Sequence, residues 1–298
     1  MQIDTFPEFS EIDLSHRTQV TDLLKKYPLE ASEYTFTNMF AFRSTYNFKL
    51  SLLKDNLIIL KDEDPLSVFC PVGNSHMPAV LDDLFDWMKD KASEPCLERV
   101  PESFVSTYFE DSDRFIAREE RDHFDYVYDV KKMIELKGRN FHDKRNKVNK
   151  FRSLHEYEYI KITPDLIDEC LEFEDDWCEV KECEKYYGLE KERCAILQML
   201  FNFDNLKIRG GAIRIGGRIE ALTLGESMPN DTFVIHVEKA NTDIPGLYQV
   251  INQEFLIHEA GDDLFVNREQ DLGMEGLRQS KMSYNPIKLI RKFRVTMK

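Results

Sequence analysis

The sequence predicts an α+β protein of two halves, each a mixed, mostly antiparallel sheet flanked by helices. Three observations lead there. The order helix, strands, helix, strands read in the first half recurs in the second, which implies an internal structural repeat without residue-level self-similarity. Glycine is unevenly spread: only Gly73 precedes residue 138, and the other eleven fall between Gly138 and Gly276. Because glycine marks sharp turns and close backbone approach, the second half is expected to carry the ligand-facing loops. Finally, 298 residues with 42% apolar and 32% charged side chains suit one large domain or two of about 150 residues and exclude a disordered chain.

The elements follow in order. Ser15 to Lys26 reads as a helix capped by Ser15 or Asp13, and Glu33 to Ser44 as a second. Phe48 to Leu53, Leu57 to Lys61 and Ser67 to Pro71 are short apolar runs broken by Lys54-Asp55-Asn56 and by 62–65, hence antiparallel strands. Met77 to Lys91 is a helix with Val80, Leu81, Leu84 and Met88 on one face. Cys96 to Arg99, Phe104 to Tyr108, Phe115 to Arg118 and Asp125 to Val130 read as strands closing the half. In the second half, Tyr157 to Ile162 is a strand, and Thr163-Pro164-Asp165 starts the acidic helix Leu166 to Val180. Leu189 to Phe201 is helical, Gly216-Gly217 turns a hairpin, Asp231 to Val237 is a strand and Gly246 to Ala260 a helix. Leu264 to Asn267 and Ile287 to Val295 supply the last strands.

A net charge of −15 argues against a uniformly positive, nucleic-acid-binding surface. The charge is not uniform, however. Residues 137–152, KGRNFHDKRNKVNKFR, hold seven Lys or Arg against Asp143 alone, and 276–298 holds basic residues and no acid. Each segment reads either as a solvated face or as an anion site; two of them around the glycine-rich half favour a phosphate-rich ligand. No apolar run reaches the roughly 18 to 20 residues of a membrane span, and the acidic start lacks a signal-peptide core, so the expected location is cytoplasmic, with peripheral attachment at the membrane as an alternative. The six cysteines, without a CxxC pair, suit reduced buried thiols. His258-Glu259 begins like a zincin motif, but Asp262 stands where the second histidine belongs, so no metal is expected.

Three segments carry a family resemblance: LKGRNFHDKRNKVNKF (136–151), FVIHVEKANTDIPGLYQVINQEF (233–255) and VNREQDLGMEGLRQSKMSYNP (266–286). Together they resemble an uncharacterised bacterial family whose domain is similar to the C-terminal domain of phosphatidylglycerol lysyltransferases. The resemblance implies two tandem GNAT-like domains and kinship with Fem-type aminoacyltransferases, which move an amino acid from aminoacyl-tRNA to an amine or hydroxyl. The implied division is 1–130, an N-terminal GNAT-like domain; 131–154, a basic connecting helix; and 155–298, the catalytic half. GNAT enzymes that use acyl-CoA usually hold its pyrophosphate on a loop reading Gln/Arg-x-x-Gly-x-Gly/Ala at a helix N-terminus. Here the matching stretch, Glu238 to Gly246, has a single glycine, and Pro245 removes a donor. Acyl-CoA is therefore the runner-up to aminoacyl-tRNA, and no bound cofactor is expected.

Aminoacyl transfer needs a base and donors for a tetrahedral oxyanion. The densest set of suitable groups is Asn267, Arg268, Glu269 and Asp271, followed by Lys281 and Tyr284. Glu269 or Asp271 is the expected base, with Glu238 as a further catalytic carboxylate, and Arg268 with Lys281 as phosphate or oxyanion partners. Surface ion pairing is the bland alternative for each. His236 reads as a packed histidine more readily than as a proton carrier, and Asn252 as a possible substrate hydrogen-bonder on the following helix. On the basic segment, Lys144 and Lys147 share a helical face and Arg145 lies beside them, suiting a tRNA acceptor end, although only Phe141 and Phe151 offer stacking. The acceptor is a small molecule, a peptide or a lipid head-group. A non-catalytic module binding nucleic acid or an anionic membrane is the reading from another class.

Overall fold

Local signals set most elements. The structure, a computed structural model, describes residues 2–298. Asp13 caps the first helical segment: its Oδ1 accepts the Ser15 N–H at 2.8 Å and its own N–H reaches His16 Nδ1 at 3.2 Å, so that Leu14–His16 leads into the helix Arg17–Lys26. Thr35 does the same for Phe36–Ala41. Gly216 and Gly217, both at positive φ (58° and 87°), turn the strand Arg209–Ile215 into Arg218–Met228, as glycine pairs do in tight hairpins.

The chain divides into two units, each built on a seven-stranded sheet. The first sheet runs, edge to edge, Ser10–Glu11, Phe48–Leu53, Asn56–Lys61, Ser67–Phe69, Cys96–Pro101, Lys292–Met297 and Phe115–Glu119. Its pairings are antiparallel except Ser67–Phe69 with Cys96–Pro101. The helix Met77–Lys89 buries Val80, Leu81, Leu84, Phe85 and Met88, the expected face. Residues 104–108, expected as a strand, belong instead to the helix Glu102–Tyr108. Pro101 precedes it with an extended backbone, Glu102 occupies the first turn, and the Phe104 and Tyr108 rings meet one turn apart, tilted, with centroids at 4.6 Å, a helical spacing.

The C-terminal strand Lys292–Met297 lies in the first sheet, between Cys96–Pro101 and Phe115–Glu119. A buried ionic knot fastens it. The Lys292 ammonium, 0% exposed, contacts Glu33 Oε2 at 2.5 Å and Asp125 Oδ1 at 2.6 Å. Asp125 also accepts from the Ser32 N–H at 2.7 Å and Ser32 Oγ at 3.1 Å. Arg99 bridges Glu33 (3.0 Å) and Glu120 (3.1 Å). The first unit therefore comprises residues up to Asp125, Gln270–Gly273 and Ile290–Lys298, so its boundaries are discontinuous in sequence.

The second unit comprises Tyr126–Glu269 and Met274–Leu289. Its sheet runs Lys288–Ile290, Asp125–Asp129, Phe265–Asn267, Thr232–Ala240, Arg218–Met228, Arg209–Ile215 and Glu158–Lys161, with Thr232–Ala240 parallel to Phe265–Asn267. The helix Leu247–Glu259 buries Leu247, Val250, Ile251, Phe255 and Leu256. The basic segment forms the helix His142–Leu154, whose Val148 and Phe151 join that core. The connecting stretch 131–154, expected as one helix, is broken: Val130–Glu135 precedes His142–Leu154 as a separate helix. A further helix, Glu275–Met282, stands where the sequence named none, too short for a clear apolar stripe. The cysteine expectation needs correction at one pair. Cys178 and Cys183 are joined as a disulfide, while Cys70, Cys96, Cys170 and Cys194 are free.

Removing one partner from a buried ion network strands the others without compensation. Lys292→Met, which leaves Glu33 and Asp125 buried without their ammonium, is expected to lower unfolding free energy by about 3–5 kcal/mol, read by urea denaturation. A loss below about 1 kcal/mol, the range of a surface pair, would show that the knot does not hold the strand.

Candidate functional site

The site begins with a turn. The strand Phe265–Asn267 ends before Arg268, which removes the strand alternation that would have sent Arg268 and Glu269 to opposite faces. Asn267, fully buried, accepts the Glu269 N–H on its Oδ1 at 2.8 Å, and Glu269 takes a left-handed backbone, φ 54°. The Lys281 ammonium donates to the Arg268 carbonyl at 2.5 Å and the Glu269 carbonyl at 3.1 Å. Asn267 and Lys281 thus hold the turn, and the side chains of Arg268 and Glu269 are what it presents.

The Arg268 side chain, 12% exposed, donates from Nη2 to Glu238 Oε1 at 2.7 Å. Glu238 Oε2 accepts from Asn252 Nδ2 at 2.7 Å, so Asn252 on the helix Leu247–Glu259 fixes the carboxylate that fixes the guanidinium. The guanidinium carbon lies 4.9 Å from the Tyr284 ring centroid and 5.9 Å from that of Tyr128, cation–π distances. Burial opposes its charge, but Glu238 and the two tyrosines keep its pKa above the ordinary arginine value. Its Nη1 is buried and has no hydrogen-bond partner. Lys144, from the basic helix, places Nζ 4.2 Å from the centroid of the same Tyr284 ring. Burial, with Lys147 and Arg268 nearby, lowers the Lys144 pKa to about 8; burial also pushes Tyr284 up to about 12. Five of the expected residues, Glu238, Asn252, Arg268, Tyr284 and Lys144, therefore converge on one cluster.

A second cluster stands on the same strand. His236 is skipped in the pairing of Thr232–Ala240 with Arg218–Met228, where Leu224 faces Val237 and Gly225 faces Ile235. This bulge depends on Gly225, at which any Cβ would strike the Val234 carbonyl. The His236 side chain, 1% exposed, lies between Glu269 Oε1 at 2.8 Å from Nδ1 and Glu226 Oε1 at 3.1 Å from Nε2. Burial disfavours its charge, yet the two carboxylates prevail and raise its pKa to about 9. His236 is accordingly packed, as the alternation suggested, but as an imidazolium at neutral pH that donates to both glutamates. Glu226 and Tyr128 were missed by sequence reasoning; the bulge that aims Glu226 leaves no mark except a glycine, and Tyr128 looks like any strand aromatic.

The remaining expected residues lie elsewhere. Asp271 belongs to the first unit, fully buried, accepting from Arg121 at 3.1 Å and from the Gly273 N–H at 2.9 Å. Arg145 donates to the carbonyls of Leu136 (2.6 Å) and Gly138 (3.3 Å). Lys147 is exposed. The basic tail is largely neutralised: Arg294 pairs with Glu98 and Glu94, Arg291 with Glu102 and Glu119, and Lys292 with its two acids. At Gly246, just before the helix Leu247–Glu259, a Cβ would lie 2.7 Å from the Lys147 carbonyl, so the basic helix packs closely against that residue. Among the described residues no group of three or more His, Cys, Asp or Glu is arranged to hold a metal ion, and no helix is long and apolar enough to cross a membrane.

The histidine clamp has a signed pH consequence. A pKa raised from 6.5 to about 9 contributes stability that is fully present below pH 6.5 and lost as the pH rises through 9. The gap is worth at most roughly 3 kcal/mol. Comparing urea unfolding of the native protein and His236→Gln, the stability advantage of the native protein should shrink between pH 6 and pH 9.5; an advantage independent of pH would contradict the clamp.

The family model described as phosphatidylglycerol lysyltransferase, C-terminal, matches residues 24–296. A conserved protein of unknown function from Bacteroides thetaiotaomicron is 35% identical, with TM-score 0.91 over 97% of this chain and 99% of that one. The C-terminal domain of a proposed lysylphosphatidylglycerol synthetase from Agrobacterium fabrum superposes with TM-score 0.69 at 13% identity, over 95% of this chain and 92% of that one. L-PGS from Bacillus licheniformis does so with 0.66 at 13% identity, over 99% and 94%. An uncharacterised protein of Mycoplasmoides gallisepticum is 25% identical over 178 residues, 57% of this chain and 55% of that protein, so the match spans about half the length of that relative. FemX superposes with TM-score 0.50 at 9% identity, over 96% of each chain; the shared fold is that of two mixed sheets flanked by helices. With nearly its whole length matched, the chain belongs to the phosphatidylglycerol lysyltransferase C-terminal family, whose fold is that of acyltransferases.

Proposed function

We propose that the protein transfers an aminoacyl group from aminoacyl-tRNA to an amine or hydroxyl acceptor, on a small molecule, a peptide or a lipid head-group. The observation that carries this reading is the Arg268 Nη1 donor, buried without an acceptor in a guanidinium already fixed by Glu238. A buried cationic donor left unpaired is costly, and an acyl-transfer oxyanion or a substrate phosphate is the group that would satisfy it. Lys144 adds a second cation that pairs with no carboxylate among the described residues. In the transfer, the acceptor attacks the ester carbonyl, the oxyanion forms against Arg268 and Lys144, and the ribose hydroxyl leaves.

The other residues take narrower roles. Glu238 and Asn252 orient Arg268, Tyr284 supports both cations, and Asn267 with Lys281 holds the turn. Glu238 is taken up by Arg268 and Asn252, and Asp271 by Arg121 and the Gly273 N–H within the first unit, so proton acceptance is assigned to Glu269, which the turn presents beside Arg268. Lys147 is left to reach the tRNA backbone. Arg145, committed to two carbonyls, is not. The stretch Glu238 to Gly246, with a single glycine and with Pro245 lacking an N–H donor, supports aminoacyl-tRNA over acyl-CoA, whose pyrophosphate takes several backbone donors at a helix N-terminus.

Arg268→Ala is expected to lower transfer of a radiolabelled amino acid from charged tRNA into a cell extract by about 10²–10³-fold under conditions where urea unfolding shows the variant folded, because stranding Glu238 also costs about 3–5 kcal/mol of stability. Full transfer by this variant would refute the assignment, whereas retained tRNA binding without any transfer by the native protein would favour the non-catalytic module. Because Lys144 titrates near pH 8 and binds an anion only when charged, the KM for charged tRNA should rise as the pH passes 8. Lys144→Met should show a KM roughly tenfold higher at pH 7 and little dependence on pH there; an unchanged KM profile would remove Lys144 from the site.

A further inference from the structure

Outside the site just described, the second unit buries a carboxyl group that has no hydrogen-bond donor. Glu174 lies on the helix Ile167–Lys181, fully buried. Its Oε2 has no partner. Its Oε1 lies 3.8 Å from Cys178 Sγ, one turn along the same helix. That sulfur is bonded to Cys183 and carries no hydrogen, so in this state it donates nothing. Lys239, Glu192, Arg193 and Asp175 are the charges around Glu174, and burial raises its pKa to about 7. Buried acids without donors are expensive, and this one would acquire a donor only if Cys178 became a thiol.

The disulfide sits where its opening can be felt. Glu182, in a left-handed backbone (φ 52°), ends the helix, and the chain returns at once through Cys183. From Glu182 to Gly188, Cys183 is the single buried residue, so the bond to Cys178 pins an otherwise exposed turn between two helices. Next to Cys178, Trp177 donates from Nε1 to the Ala240 carbonyl at 3.1 Å, and its ring lies 3.7 Å beneath the Lys239 ammonium. Lys239 in turn contacts Glu192, on the following helix Tyr187–Phe201, at 2.5 Å, and Lys181 reaches Thr242 Oγ1 at 3.2 Å. These contacts fasten both helices to the end of the strand that carries Glu238.

We infer that Cys178 and Cys183 form a reversible thiol–disulfide switch in which Glu174 carries the proton to and from Cys178. The reductant is a dithiol. Its thiolate attacks Cys183 Sγ, forming a mixed disulfide and breaking the Cys178–Cys183 bond; Cys178 leaves as a thiolate and takes the Glu174 proton. The second thiolate of the reductant then attacks its own sulfur in the mixed disulfide, closing the oxidised reductant and releasing Cys183, which is protonated from solvent. Two electrons pass from the dithiol to the protein cystine, and Glu174 regains its proton from solvent. Proton delivery to the leaving sulfur is the step that a nearby acid accelerates. Reduction frees the turn 182–188 and gives Glu174 its missing donor, the Cys178 S–H. This switch goes beyond the proposed transfer reaction and is tested without it.

The test uses the full chain with Trp87→Phe, which leaves Trp177 as the reporter of two tryptophans. Alkylation in denaturant should count four thiols before and six after treatment with dithiothreitol, matching the four free cysteines plus the pair, and reduction should raise Trp177 fluorescence as the neighbouring disulfide is lost. Glu174→Gln should be reduced at least about tenfold more slowly at pH 7. Equal rates, or six thiols in protein treated with a mild oxidant, would overturn the inference. Should Glu174→Gln fail to fold, the native protein decides: its reduction rate, corrected for dithiothreitol ionisation, should fall above pH 7 as Glu174 loses its proton. A flat corrected rate would overturn the inference equally.

Discussion

The candidate site depends on the turn at Asn267, Arg268 and Glu269. A strand that continued past residue 267 would split these side chains between two faces. Ended there, with its carbonyls tied down by Lys281, it sends Arg268 to Glu238 and Glu269 to His236. Both partners come from one strand, Thr232–Ala240, which lies parallel and adjacent. The bulge at His236 and the turn at Glu269 are thus complementary: one turns a histidine toward a carboxylate, the other supplies it. Neither makes chemical sense alone, because an isolated buried imidazolium or guanidinium would be forced to neutralise or to move.

Charge placement follows the same logic. The acidic average of the chain is compatible with an anion-binding site because most of its basic residues are already spoken for. The C-terminal cations are consumed in fastening the last strand to the first sheet, Lys281 serves backbone carbonyls, and Arg145 does likewise. Within the site, what remains unbalanced is Lys144, without a carboxylate of its own, and one face of Arg268. A site of this kind selects by geometry rather than by a broad positive field, which fits a donor substrate whose reacting end must be placed within ångströms of its acceptor.

Much of this was legible in the sequence. The hairpin at Gly216 and Gly217, the cap at Asp13, the order of elements and the family resemblance carried by 136–151, 233–255 and 266–286 all leave local marks. Glu238, Asn252, Arg268, Tyr284 and Lys144 can each be named from the sequence, since charged and amide groups at strand ends are visible without a structure, but that Lys144 meets the others at the Tyr284 ring is not. What escaped depends on long-range pairing. Lys292 reads as a basic tail residue until Glu33 and Asp125, more than 160 positions away, are brought beside it. The Phe104 to Tyr108 run alternates well enough to pass for a strand, and only Pro101 and Glu102 at its start and the contact of its two rings one turn apart show a helical turn. Glu226 gives no sign of reaching His236, because the bulge that permits it is set by a backbone contact at Gly225.

The central claim is that Arg268 Nη1 waits for a substrate oxygen. The most direct test is to titrate a hydrolysis-resistant 3′-aminoacylamino-adenosine into the protein and follow the arginine side-chain nitrogen resonances. The account predicts that the Arg268 Nη resonances shift on binding while those of Arg145 do not, and that Arg268→Ala binds the analogue at least about tenfold more weakly. Unperturbed Arg268 resonances in a saturated complex would contradict it.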